Sequence, residues 1–226
     1  MTIKEMFDLT GKVALVTGGA RDFGFHAGDV LAEAGCRVVV TARELDRARE
    51  AAEKLAVRHH RETLALALDV TRPEAVAETV GKAAAWKGHL DILVNNAGGT
   101  PSGGGAAHLF ERSAEAALEL ISVNLMGTLY CCQAAGRVMA RQGAGKIINI
   151  ASIAGILGRD RRMYQRNQMR GQPVDYAAAK AGVIGMTRDL AAVLSPMGVH
   201  VNCISPGGFQ RNLPPEFVKD YSDRTP

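Results

Sequence analysis

The sequence predicts a doubly wound α/β fold: one parallel sheet with helices on both faces, formed as a single domain over residues 1–226. Two patterns point to it. Short, almost unbroken apolar runs alternate with longer helical patterns along the chain. A glycine-bearing turn, Thr17-Gly18-Gly19-Ala20-Arg21-Asp22-Phe23-Gly24, follows the first of those runs and leads into the first long helix. Strands covered on both faces need no polar alternation, so they read as continuous Val/Ile/Leu/Ala stretches.

Lys12–Thr17 is the first such strand, and the helical pattern from Phe23 to Ala34 stops at Gly35. Cys36–Thr41 is the second strand, followed by a charged amphipathic helix over Leu45–Arg58. Thr63–Leu68 is the third and ends at Asp69. Pro73 opens a helix to Trp86, a position where its missing N–H costs nothing. Asp91–Asn95 is the fourth strand, and a glycine-rich loop spans Gly98–Gly105. A long helix is expected over Ser113–Arg141. Lys146–Ala151 is the fifth strand, Asp175–Leu194 a helix and His200–Ile204 the sixth strand. Parallel strands joined through helices require right-handed crossovers. No repeat or linker marks a second domain.

With 47% apolar and 22% charged residues the chain can bury a core. Its formal charge of +4 suits anionic small ligands, while the absence of basic–aromatic interleaving argues against nucleic acid. The N-terminus is charged and lacks the apolar core of a signal peptide, and no apolar run reaches membrane-span length. These features predict a cytoplasmic protein. Cys36, Cys131, Cys132 and Cys203 have neither disulfide-framework nor zinc spacing and read as buried small hydrophobes. No metal cluster is visible: His59-His60 read as the solvated end of a helix, and the other histidines are scattered.

In a doubly wound sheet a ligand sits beyond the carboxyl ends of the strands, where the strand order reverses. The Thr17–Gly24 turn lies at such an end. Its glycines permit close approach of backbone to a pyrophosphate, and the helix start presents free N–H groups to it. Tyr176 and Lys180 are four apart on a predicted helix and share a face. A tyrosine titrates near pH 10; a cation held close favours the phenolate and makes the residue a usable proton donor or acceptor. Ser152 ends the fifth strand, placed to hydrogen-bond a substrate oxygen. Asn124 is a polar residue within an apolar helical stretch and needs buried partners.

Taken together, Thr17-Gly18 with Gly24, Asp69-Val70, Asn95-Asn96-Ala97-Gly98, Asn124, Ser152, Tyr176-x-x-x-Lys180 and Pro206-Gly207 resemble the motif series of the short-chain dehydrogenases/reductases, in that family's order and over nearly the whole chain. The resemblance implies a Rossmann fold and hydride transfer between a nicotinamide cofactor and a carbonyl or secondary alcohol carbon. It also implies a catalytic set of Asn124, Ser152, Tyr176 and Lys180, with Tyr176 and Lys180 also contacting the cofactor, Lys180 by holding the nicotinamide ribose, and Asn124 linked to the lysine through a water. Gly18, Arg21, Asp22, Phe23 and Gly24 would meet the cofactor's phosphates. Asp69 and Val70 would flank the adenine, Asn96, Ala97 and Gly98 would pass beneath the ribose, and Pro206 and Gly207 would face the carboxamide.

One position departs from the family: its middle glycine is Asp22 here, read as a side-chain cap for the helix that follows. An acid that would bond a ribose 2′-OH is also missing. Ala42 and then Arg43 stand at that place, and with Arg21 they suit a 2′-phosphate, so NADP(H) is favoured over NAD(H).

Between Ser152 and Tyr176 the chain is longer than is usual in the family, and residues 158–173 carry Arg159, Arg161, Arg162, Arg166 and Arg170. This substrate-side insert admits an anionic group, with Arg161 and Arg162 the candidates; a solvated loop or a subunit contact is the plainer reading. Within the family the chain looks closest to the gluconate 5-dehydrogenase-like and 3-oxoacyl-carrier-protein reductase-like members. A keto-gluconate type of sugar acid is thus one expected substrate and a 3-oxoacyl thioester the alternative. A cofactor-binding regulator without turnover is the reading from another class. Family members continue further, through another helix and strand, and commonly form dimers or tetramers, so the last helix and strand are expected to be missing here and a homo-oligomer, such as a homotetramer, is expected if the C-terminus is complete.

Overall fold

The computed structural model describes residues 2–100, 109–209 and 213–224. Six strands form one sheet: β1 (Val13–Thr17), β2 (Arg37–Ala42), β3 (Thr63–Ala67), β4 (Ile92–Asn95), β5 (Gly145–Ile150) and β6 (Val199–Ile204). Their order is β3-β2-β1-β4-β5-β6, and every neighbouring pair is parallel. The helices are α1 (Ile3–Met6), α2 (Asp22–Glu33), α3 (Leu45–His59), α4 (Pro73–Lys87), α5 (Ala114–Ile121), α6 (Gly127–Gln142), α7 (Arg161–Arg166), α8 (Val174–Leu194) and α9 (Pro215–Ser222).

The unbroken apolar run of β1 has the expected cause. Val13 and Leu15 enter one core with residues of α4, α6 and α8, while Ala14 and Val16 enter a second core with residues of α2 and α3. All four are fully buried. Each side of the pleat therefore meets a helical layer, and polar alternation would leave buried groups without partners.

Four local expectations need correction. The helix expected over Ser113–Arg141 is interrupted: α5 and α6 are joined by a π-helical turn over Ser122–Met126. An extra residue in one turn is invisible to a 3.6-residue pattern, and such turns gather at functional positions. The insert is not all loop, because Asp160 caps α7 by accepting from Arg162 N at 3.0 Å, and α7 packs against α9. His59 is not solvated: its side chain is 14% exposed and lies 2.7 Å from Asp29 Oδ1, drawn in by a carboxylate thirty residues away. Cys36, Cys131 and Cys132 are buried as expected, but Cys203 lies in the partly exposed strand β6. The first residues of the Gly98–Gly105 loop are described, and the remainder falls outside the described residues. Among the described residues, no helix is long and apolar enough to cross a membrane.

Candidate active site

The strand order reverses between β1 and β4, so the segments leaving these strands diverge and open a crevice at the carboxyl edge. The two strand ends are laced together. Thr17 Oγ1 accepts from Asn96 N and Ala97 N, both at 3.0 Å. The Asn96 amide donates to Thr17 O at 3.1 Å and Gly18 O at 3.0 Å. Gly18 has a φ of +61°, and a side chain there would press on Ala97; at Gly24 it would collide with Asn96 and the Gly18 carbonyl. The turn is thus bare backbone lying flush on the end of β4, with the first-turn amides of α2 lacking helical partners. That arrangement fits an anionic dinucleotide.

Asp22 does not cap α2 as expected. The N-cap residue is Arg21, whose side chain makes no capping bond, and Asp22 is the first helical residue, at a φ of +50°. The tight turn demands a left-handed residue here, and aspartate is among the few non-glycine residues that tolerate it. Its carboxylate lies 3.9 Å from the Arg21 guanidinium. Phe23 turns outward to meet Phe209 edge-on, with ring centroids 6.1 Å apart, which links the turn to the segment after β6.

Beyond β2, Arg43 acts electrostatically on Asp69. Burial raises the Asp69 carboxyl, but bonds from Thr71 and the charges of Arg43 and Arg72 outweigh it and hold the group below its usual range. Asp69 is therefore a carboxylate, fixed by Thr71 N at 3.0 Å and Thr71 Oγ1 at 2.7 Å. Val70 is buried where Gly127 leaves room for it. Pro206 accepts from Ile153 N at 3.1 Å, tying the end of β6 to the short turn that follows Ser152, while Gly207 stays exposed.

At the other side of the crevice, Tyr176 lies in the first turn of α8 and Lys180 one turn on, at 8% and 4% exposure. Lys180 Nζ donates to Ile150 O at 2.7 Å and stands 5.8 Å from the Tyr176 ring centre. Burial pushes the lysine down to about 8. Ser152 Oγ, at the end of β5, accepts from Ala154 N at 3.1 Å and starts a single helical turn over Ile153–Gly155. Gly155 lets that turn touch the α8 backbone at Lys180, since a Cβ there would come within 2.7 Å of it.

Asn124 is fully buried in the π-helical turn. Its Oδ1 accepts from Gly99 N at 2.8 Å, and its Nδ2 donates to Gly99 O at 2.9 Å and Leu120 O at 3.0 Å. A Cβ on Gly98 would collide with Asn124 Oδ1 and touch Lys180 Nζ, so Gly98 keeps the space between these two groups open. Sequence reasoning missed two supports. Arg112 pairs with Asp175 at 2.7 Å and steadies the first turn of α8. Asn149, fully buried, accepts from Asn95 at 2.9 Å and donates to Thr187 at 3.0 Å, bracing β4, β5 and α8 beneath the site. Asn95 is legible in the sequence as a strand end and as part of the Asn95-Asn96-Ala97-Gly98 motif, but its bracing partner lies 54 residues away. Of the arginines singled out earlier, Arg161 is half-buried and bonds Gln172 O at 3.0 Å, whereas Arg162 is exposed and held by Asp160 at 2.9 Å.

A model of the short chain dehydrogenase family matches residues 12–221, which includes every element of this site. The chain belongs to the short-chain dehydrogenase family. It is similar to a 3-oxoacyl-[acyl-carrier-protein] reductase of Synechocystis sp., with 35% identity over 202 residues, 89% of this chain and 76% of that protein. It is equally similar to L-fucose dehydrogenase of Bos taurus, 35% identical over 215 residues, 95% of this chain and 72% of that one. The crystal structure of a short-chain type dehydrogenase/reductase from Mycobacterium marinum superposes with a TM-score of 0.82 at 31% identity, over 91% of this chain and 76% of that structure. As a short-chain dehydrogenase, the chain is an NAD(P)-dependent oxidoreductase with a Rossmann fold.

Proposed function

We propose that the protein exchanges hydride between NADP(H) and a carbonyl or secondary alcohol carbon, with Tyr176 giving the proton in reduction and taking it in oxidation. The observation that carries this reading is the buried Lys180 ammonium 5.8 Å from the Tyr176 ring, a cation placed to favour the phenolate. Ser152 holds the substrate oxygen as charge develops on it. Asn124, anchored to Gly99, fixes the wall opposite Lys180 and leaves room for a water to pass the proton onward. The nicotinamide, when bound, supplies or accepts the hydride. Gly18, Phe23, Gly24, Asn96, Ala97, Gly98, Asp69, Val70, Pro206 and Gly207 would hold the dinucleotide, with Arg21 and Arg43 facing the 2′-phosphate and Lys180 the ribose.

Asp22 opposes part of that cationic field by pairing with Arg21. Asp22→Gly removes a carboxylate beside the phosphate turn, frees Arg21 and relieves a left-handed aspartate. NADPH affinity is expected to rise about fivefold, the scale of one partly screened charge pair. Unchanged binding by fluorescence titration would show that the Asp22 charge is already neutralised, and weaker binding that Asp22 supports the phosphate turn.

The substrate reading favoured by the cationic insert is a small carbonyl acid of the keto-gluconate type. A 3-oxoacyl thioester is the second reading, supported by the activity named for the Synechocystis relative. The deciding assay is NADPH consumption across a panel of keto sugar acids, simple ketones and 3-oxoacyl thioesters, run beside NADH. Turnover with NADPH preferred, and that preference lost in Arg43→Ala, supports the proposal. NADH preference would overturn the cofactor assignment, and NADPH binding without turnover across the panel would favour a cofactor-binding regulator.

A further inference from the structure

The insert carries five arginines, and the structure divides them by how their charge is met. Arg162 is paired with Asp160 at 2.9 Å and Arg166 with Asp220 at 3.2 Å, and both are exposed, as is Arg170. Arg159 and Arg161 differ. Both are half-buried, and their guanidinium groups converge on one carbonyl: Gln172 O accepts from Arg161 at 3.0 Å and from Arg159 at 3.2 Å. Arg159 is further held by Gln172 Oε1 at 2.6 Å and by Pro173 O at 3.3 Å. Every one of these partners is uncharged. Among the described residues, no carboxylate lies within ion-pair distance of either arginine, because the insert's own Asp160 is taken by Arg162 and Arg224.

Two like charges side by side and partly out of water repel each other, and the arrangement becomes favourable when an anion joins them. The place is specific. Pro173 is the N-cap of α8, three residues before Tyr176, and its carbonyl accepts from Arg159 at 3.3 Å. Arg159, with most of its donors engaged, is a fixed source of positive field. Arg161 makes a single bond among the described residues and keeps donors for a ligand. Gly171, at a φ of +70°, brings the returning chain against Arg161 and Tyr164, where a Cβ would crowd both side chains.

Resting on the catalytic reading above, we infer that Arg159 and Arg161 form a carboxylate-binding subsite that selects carbonyl substrates carrying an anionic group and orients their carbonyl toward Tyr176. The subsite takes a carboxylate on the substrate itself; Arg161 binds it directly and Arg159 positions and charges the pocket.

The test compares matched pairs differing in one carboxylate, 5-keto-D-gluconate with L-sorbose and acetoacetate with methyl acetoacetate. It uses the full chain saturated with NADPH, and records both kcat/KM and equilibrium binding. Wild-type enzyme is expected to favour the acid of at least one pair by about tenfold or more, the scale of a charge-assisted hydrogen bond. Arg161→Gln should erase that preference through KM and leave the neutral partner's constants in place. Arg161→Lys should restore part of it, and Arg170→Gln should leave it intact. Equal loss for acid and neutral partner in Arg161→Gln, or no acid preference in the wild type, would overturn the subsite. Binding of acid over neutral partner, lost in Arg161→Gln, would support it even without turnover, and that lack of turnover would count against the catalytic reading alone.

Discussion

Tyr176→Phe is expected to lower kcat by roughly three orders of magnitude, within the range that positioned acid–base groups contribute, while leaving the fold in place. The change removes one hydroxyl and keeps the ring, which packs with Leu120, Ala154 and Ala179 in a small buried cluster. Stability should therefore move by no more than about 1 kcal/mol. The lost interaction is one made as the proton moves, so kcat and kcat/KM should fall together, with substrate KM and NADPH affinity little changed. Steady-state kinetics beside a cofactor titration separates these quantities. Activity within about tenfold of wild type would remove Tyr176 as the proton carrier. A parallel loss of NADPH binding would show that the phenol serves the cofactor pocket instead.

How far such a site can be read from sequence depends on how local its causes are. Tyr176 and Lys180 sit on one helix face, so a spacing of four reveals their shared direction before any tertiary contact is known. The strands were legible for a similar reason: two-sided burial writes itself into the apolar runs of β1, β2 and β4, and the edge strands β3 and β6 keep apolar runs although they are partly exposed. Asp22 was read as a cap because aspartate favours caps, yet the turn's geometry places it one residue into the helix with a positive φ. Backbone demand prevailed over side-chain preference. The insert's helix α7 and its partner α9 were missed because each is short and neither has a long periodic face; they stabilise one another across about fifty residues, through Arg166 and Asn167 on Asp220. Arg159 was one of five similar arginines in the sequence. Only the fold shows which of them lack a carboxylate.

Lys180→Met is expected to produce opposite changes in activity and stability. Lys180 is 4% exposed and its ammonium is pushed down to about 8 by burial, against about 10.4 for an unfolded lysine. Between those two values the unfolded chain binds more protons than the folded one, so this group makes stability rise with pH through that window. Below about pH 8 the whole burial penalty is present, on the order of 3 kcal/mol from the size of the shift. Methionine fills a similar volume without the charge, but it leaves Ile150 O without its 2.7 Å donor, a loss of about 1–2 kcal/mol. The variant should therefore be more stable than wild type by about 1 kcal/mol at pH 7, and the advantage should shrink and reverse as pH approaches 10. Turnover should fall by at least about two orders of magnitude, because the proposed mechanism relies on this cation to make Tyr176 a usable acid. Denaturant unfolding of both proteins between pH 7 and 10 checks the first statement and NADPH-coupled kinetics the second. A variant much less stable at pH 7, or a difference that ignores pH, would mean that the Ile150 carbonyl already compensates the buried charge. The expected result instead makes Lys180 a residue that destabilises the fold at neutral pH and is retained for the chemistry of Tyr176, the trade between stability and activity that functional sites commonly show.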